Sequence, residues 1–595
     1  MRRHVVNRAI ARAASIVFAC GLLWSCASTE MDAESLIGDP TNVLGYNEDT
    51  KSFCLDFKES PPKGTSGDKK FLIEFFSSAT CANTRNHRDI LKYHALEIDK
   101  RGVTVNDDPY PGKKGEDYFA KRIGDILHGF AEYKKEWSKI KFLNPNLPDA
   151  KLLIFAHGGL NSRRVAHEQV VEQTALLRAD GYYPIFLIWR TSALETYWEQ
   201  VAHVRTGEVE DSPSLTTPLY ITGDFGQGVA RAPVNFKNQV KRFWRSEIDR
   251  DKEFVIDKDA AVGNSANKES LYYNVTLSKN FTNEREITTE SALEDALYAA
   301  LMPARIATTF FVDPLGTTAW ENMVRRAMTG IHSANEFKVC DGKEGNPADE
   351  KLCERLKSDR KNYPHGTGGF SKLFQTLESC MTPEQDAPSS NQAGGAAVNK
   401  GAARPRPPCT LKAEQKAALQ KGVKVTLVGH SMGTIVFNQL ASLYSDIPYE
   451  KIIYMAAAAN IRHFTNAITP LMRSNPGLSV HSLMLHPLAE SRERFGGGIA
   501  PSGSLLEWID EMYEPSVTPL DRTLGKWRNV RLAKHIFEED IRDKIHFKIF
   551  GFSNADPTKH GDFNDTRFLY WRSEFWCDGL RSNSDSSSCN IGELR

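Results

Sequence analysis

The chain has 595 residues, with 75 Lys plus Arg balanced by 75 Asp plus Glu and a hydrophobic share of 41%. That balance leaves no electrostatic footprint for nucleic acid, and 25% charged with 10% aromatic residues describes a globular rather than a disordered chain. Length alone suggests about four domains at about 150 residues each, a soft prior that one elaborated α/β domain can absorb.

The N-terminus reads as an address. Arg2, Arg3, Arg8 and Arg12 precede or adjoin the apolar run 13–23, with no acid nearby. This is the basic region and short hydrophobic core of a secretory signal, well under the roughly 20 residues needed to span a bilayer. The run closes on Leu23, Trp24, Ser25 and Cys26, which resembles a bacterial lipobox. The resemblance implies removal of residues 1–25 and lipid attachment at Cys26. With Ala27 following the cysteine, it also implies an outer-membrane lipoprotein of the bacterial cell envelope, facing the periplasm or the cell surface. The mature chain would then carry 71 basic and 75 acidic side chains, a net charge of −4. Eight cysteines would remain as sequence neighbours: Cys54 with Cys81, Cys340 with Cys353, Cys380 with Cys409, and Cys577 with Cys589. An even count in an exported chain fits disulfides, although eight cysteines allow 105 pairings. No spacing suggests zinc, so no metal is expected.

Past a tether at 26–69, short β-branched and aromatic runs fall at 71–76, 90–98, 152–156, 185–189, 423–428, 452–455, 478–485 and 545–552. From the third onward they are continuously apolar, as in strands covered on both faces of a parallel sheet. Helical patterns at 118–137, 166–179, 411–421 and 435–444 lie between them. The alternation predicts an α/β fold with a mostly parallel, eight-stranded sheet. Its halves are 70–192 and 411–576, followed by a tail at 577–595. An insertion of 193–410 separates the halves and reads as a lid or subdomain. It contains a segment at 291–301, an aromatic-rich run at 310–328 and a low-complexity loop at 383–408. A Cys380–Cys409 bridge around that loop would contribute roughly 3 kcal/mol in the chain-entropy model.

The chemistry concentrates at residues 424–444. A predicted strand runs directly into Gly429, His430, Ser431, Met432 and Gly433, then into a helix. Gly-x-Ser-x-Gly alone is weak, but a strand-turn-helix context is what holds a serine hydroxyl clear of the backbone. The helix N-terminus adds N–H donors and a positive dipole for a developing oxyanion. With these flanks the chain resembles the α/β-hydrolase superfamily, and the Gly-His-Ser-Met-Gly wording is similar to its lipases and esterases. The strand at 152–156 leads into His157, Gly158, Gly159, Leu160 and Asn161, which is similar to the family's His-Gly segment. The resemblance implies an oxyanion hole from the Gly159 and Met432 amides, with Leu160 as the alternative to Gly159. His157 precedes the nucleophile, so it reads as a structural hydrogen bonder rather than the base.

The family order is Ser, acid, His, which puts the base among His463, His481, His486, His535, His546 and His560. His560 follows the last predicted strand in a loop and is the favoured base. Glu490, the first carboxylate after the 478–485 run, is the favoured acid, with Glu493 and the Asp556 loop still open. Arg190 reads as a sheet-end charge ahead of an anion ligand. The implied activity is hydrolysis of carboxylic esters through a Ser431–His560–Glu490 triad, with no cofactor. The partners expected are an ester or lipid substrate and a membrane reached through the N-terminal lipid, with no nucleic acid. An acyltransferase with the same triad, or a noncatalytic binding module, remains open.

Overall fold

The structure is a computed structural model of the chain. With short gaps, it describes residues 87–102, 118–243, 274–280, 300–336, 347–382, 408–577 and 580–581. The signal and Cys26, the tether, Cys54, Cys81, Cys340, Cys589, the run at 71–76, the 383–407 part of the low-complexity loop and the tail beyond 581 lie outside the described residues.

One α/β sheet organises the chain. In chain order its strands are β1 (Ala95–Ile98), β2 (Lys151–Ala156), β3 (Tyr182–Trp189), β6 (Asn274–Leu277), β7 (Val425–His430), β8 (Tyr449–Met455), β9 (Ser479–Leu485), β10 (Ile545–Phe550) and β11 (Leu580–Arg581). A separate two-stranded hairpin pairs β4 (Val204–Arg205) with β5 (Glu208–Val209). The order across the main sheet is β1-β3-β2-β7-β8-β9-β10-β6-β11. Its first eight strands run parallel, and β11 adds one antiparallel edge strand. Buried apolar residues such as Leu152, Ile154, Ile185, Leu427, Ile453, Leu483 and Phe547 fill the middle of the sheet. Helices take up its exposed faces, as the continuous apolar runs require.

Two expectations change here. The 90–98 run begins as a helix, His87–His94, and becomes a strand only at Ala95. Buried Ile90, Leu91 and His94 recur at helical spacing, so the helical period wins locally. The insertion, read as a lid or subdomain, also shares the sheet and core of the two halves. It supplies β6 to the sheet, and its helix Gly369–Met381 puts Phe370, Leu373, Phe374 and Leu377 into the common core. A further layer forms where the helix Met302–Thr329 packs on the helices Ala193–Ala202 and Thr217–Phe243. Cys380 and Cys409 form a disulfide, and Cys353 is disulfide-bonded as well. No helix among the described residues is long and apolar enough to cross a membrane.

Pro184 lies within β3, where it pairs with Leu153 of β2. The β1 strand joins β3 only from Phe186 onward, so the missing Pro184 N–H falls where β3 has a single neighbour.

Candidate active site

The sheet order reverses direction between β2 and β7, the switch point where the carboxyl ends of parallel strands open a crevice. The residues singled out from sequence all follow carboxyl ends: His157–Asn161 after β2, Ser431 after β7, Glu490 and Glu493 after β9, His560 after β10.

Ser431 has φ 50°, in the left-handed region, between β7 and the helix Gly433–Leu443. Such an angle costs a non-glycine residue of order 1–3 kcal/mol and persists only where the surroundings over-determine it. Here they do. The Ser431 amide donates to Met455 O (2.9 Å), and the Ser431 carbonyl accepts from Ala458 N (3.1 Å), Thr434 N (3.1 Å) and Thr434 Oγ1 (2.7 Å). The flanking glycines supply room. A Cβ on Gly433 would lie 2.2 Å from the Ala156 carbonyl oxygen, and one on Gly429 would press on Thr434 N and Phe437 at 3.1 Å. The serine turn is therefore locked against the end of β2.

His560 opens a short 3-10 segment, His560–Asn564. Its Nε2 is 2.9 Å from Ser431 Oγ. Both residues are buried, and burial, followed by the neighbouring His430, holds the His560 imidazole well below 6.5. It is therefore neutral near pH 7 and free to take a proton.

The expected acid is placed differently. Glu490 is buried, and its Oε2 accepts a hydrogen bond from Ser504 Oγ; no hydrogen bond joins it to His560. Burial pushes its carboxyl well above 4.5. Glu493, one helical turn on, is the carboxylate beside the imidazole loop: its Oε2 accepts the His560 backbone N–H at 2.9 Å. Burial, with Asp562 nearby, pushes Glu493 up to about 7 against the lowering effect of that hydrogen bond. His560 Nδ1 is buried with no partner among the described residues. Asp556 is engaged elsewhere, accepting from Ser278 Oγ (2.6 Å) and Asn280 Nδ2 (2.7 Å), which fastens β6 to the loop after β10.

The two residues expected to supply the oxyanion donors adjoin one another through the Met432 side chain. A Cβ on Gly159 would lie 2.8 Å from the end of the Met432 side chain. Neither the Gly159 nor the Met432 amide donates a hydrogen bond among the described residues. His157 is structural: its Nε2 accepts from Trp189 N (3.2 Å), its ring stacks on Trp189, and burial lowers it to about 4.

Arg190 faces Glu97 rather than the serine, with Nε 3.6 Å from Oε1. Burial alone would raise the Glu97 carboxyl, but His167, Arg163 and Arg190 bring it down to about 2. A depressed carboxylate contributes stability that is present above 4.5 and lost as pH falls towards 2. Glu97→Gln should lower unfolding stability by about 3 kcal/mol at pH 7, because it strands buried cations. The gap from wild type should narrow in urea melts at pH 3.

Three potential metal ligands converge once among the described residues, at exposed His128, Glu132 and Glu414, where Lys135 already bridges both carboxylates.

No protein-family model matches the chain, and no curated protein or solved structure does either.

Proposed function

We propose that this chain is a serine hydrolase of carboxylic esters on an α/β-hydrolase-type sheet, with Ser431 as nucleophile and His560 as base. The observation that carries the reading is the 2.9 Å contact between Ser431 Oγ and His560 Nε2 at a left-handed serine turn. Nucleophile and base within hydrogen-bond reach, with the serine held in a strained turn, form the arrangement that acyl transfer needs.

In this reading Ser431 Oγ attacks the ester carbonyl carbon while its proton passes to His560 Nε2. The Gly159 and Met432 amides hold the oxyanion, each worth about 3 kcal/mol of the barrier. Collapse expels the alcohol, which takes the proton from Nε2–H and leaves an acyl-Ser431. Water then attacks, giving a proton to His560, which passes it to Ser431 Oγ as the acyl–oxygen bond breaks and the acid is released. Glu493 replaces Glu490 as the carboxylate of the site, holding the loop that carries the imidazole rather than the ring itself. It already grips the His560 backbone, whereas Glu490 is tied to Ser504.

A panel of p-nitrophenyl esters from acetate to palmitate tests this reading. Turnover of at least one acyl length is expected. No turnover together with no labelling by a fluorophosphonate would leave a noncatalytic binding module, and ester formation on an added alcohol in preference to water would mark an acyltransferase. The lipobox resemblance extends the proposal to a Cys26-lipidated protein of the bacterial envelope. Metabolic labelling with palmitate should mark the wild type and not Cys26→Ala.

A further inference from the structure

We infer that His430, the residue before the nucleophile, is a positioning residue that holds the base loop in register with Ser431. The inference rests on the proposed role of His560 as base. His430 is 4% exposed and touches that loop twice. Its Nε2 lies 3.0 Å from the His560 carbonyl oxygen, and its Nδ1 lies 2.9 Å from Asn564 Nδ2. A carbonyl oxygen only accepts, so Nε2 carries the proton. In the neutral ring Nδ1 is then bare and needs a donor, which the Asn564 amide supplies. Burial lowers His430 to about 4, which keeps it in this neutral form near pH 7.

The arrangement continues outward in one direction. Tyr570 Oη donates to Gln173 Oε1 (2.6 Å), and Gln173 Nε2 donates to Asn564 O (2.9 Å). Gln173 and Tyr570 are both buried. The helix Arg163–Ala179 thus braces the far end of the same 3-10 segment whose first residue is His560. Gly158 makes room for the clamp, since a Cβ there would lie 2.9 Å from His430 Nδ1. His430 leaves β7 one residue before Ser431, so a single ring ties nucleophile strand and base loop together. Glu493 holds the other side of the loop through the His560 N–H, and the His560 main chain is therefore fixed at both its amide and its carbonyl.

Misplacing a base by about 1 Å costs about 10²-fold in rate, without a matching loss of substrate binding. The test measures kcat and KM on p-nitrophenyl butyrate, and the rate of inactivation by diisopropyl fluorophosphate, for His430→Phe, His430→Gln and Asn564→Leu. In His430→Phe, kcat and the inactivation rate should fall together by about 10²-fold, with KM close to that of the wild type. His430→Gln, whose amide N–H can reach the same carbonyl, should recover most of the loss. Asn564→Leu should move kcat in the same direction by a smaller factor, and it stands in if His430→Phe fails to fold. A folded His430→Phe or Asn564→Leu with wild-type kcat overturns the inference, as does a His430→Gln no better than Phe. Ser431→Ala run alongside separates the two failures. Hydrolysis persisting there overturns the serine reading, whereas hydrolysis lost there but intact in His430→Phe overturns only the positioning role.

Discussion

Ser431→Ala is expected to abolish ester hydrolysis, with kcat falling on the order of 10⁶-fold, while the fold is retained. The size follows from the role, because without Oγ there is no acyl-enzyme, and the neighbouring groups cannot substitute for a missing bond-forming atom. The fold is spared because the turn is held by main-chain bonds to Met455 O and Ala458 N and by Thr434, none of which uses the serine hydroxyl. Alanine meets the left-handed φ at much the same cost as serine. The lost hydrogen bond to His560 Nε2 costs about 1 kcal/mol. Circular dichroism should therefore overlay that of the wild type, the thermal midpoint should fall by no more than about 2 °C, and residual turnover should not exceed that of the buffer by more than the oxyanion donors alone can supply.

The second large effect separates two carboxylates three residues apart. Glu493→Gln should lower kcat by about 10²-fold, the cost of letting the base loop slip by about 1 Å, because its carboxylate holds the His560 N–H. An amide keeps the shape but is a weaker acceptor for the His560 N–H and carries no charge to offset an imidazolium nearby. Glu490→Gln should leave kcat within about threefold of the wild type. Burial pushes the Glu490 carboxyl well above its ordinary value, towards the neutral acid with which glutamine is close to isosteric. The pH dependence follows the same assignment. With Glu493 pushed up to about 7, its carboxylate form prevails above that value. The wild-type kcat should therefore fall as pH drops through about 7, and Glu493→Gln should lose that limb. The reverse ranking of the two variants would return the acid role to Glu490.

Much of the sheet and of the candidate site is legible in the sequence, and for physical reasons. A strand, a Gly-x-Ser-x-Gly turn and a helix are contiguous in sequence, so Gly429–Gly433 reads locally. The His157–Asn161 loop reads the same way, because the strand before it is a continuous apolar run. His560 as the favoured base follows from the family order of Ser, acid and His together with its loop after the last predicted strand. The acid was harder. Glu490 sits within and Glu493 just past the end of one short buried helix, Pro487–Arg492, and which one reaches the base loop depends on how that helix meets Ser504 and His560. No periodicity encodes that meeting. The strands β6 and β11 at one end of the sheet are not legible because they span four and two residues, too short for an alternating pattern to register. The core role of the helix Gly369–Met381 was hidden by its place in the insertion, although its apolar residues Phe370, Leu373, Phe374 and Leu377 recur at helical spacing. His430 lay inside the motif, but only the fold brings the loop of His560 and Asn564 across to it.

The central claim is that Ser431 is an activated nucleophile, and activity-based labelling tests it most directly. The wild-type protein would be treated with a fluorophosphonate, digested, and the modified residue located by mass spectrometry. A single phosphonylated peptide carrying the adduct on Ser431, with labelling greatly slowed in His560→Ala, is the predicted result. An adduct on another residue, or ester hydrolysis that continues with Ser431 unlabelled, would contradict it.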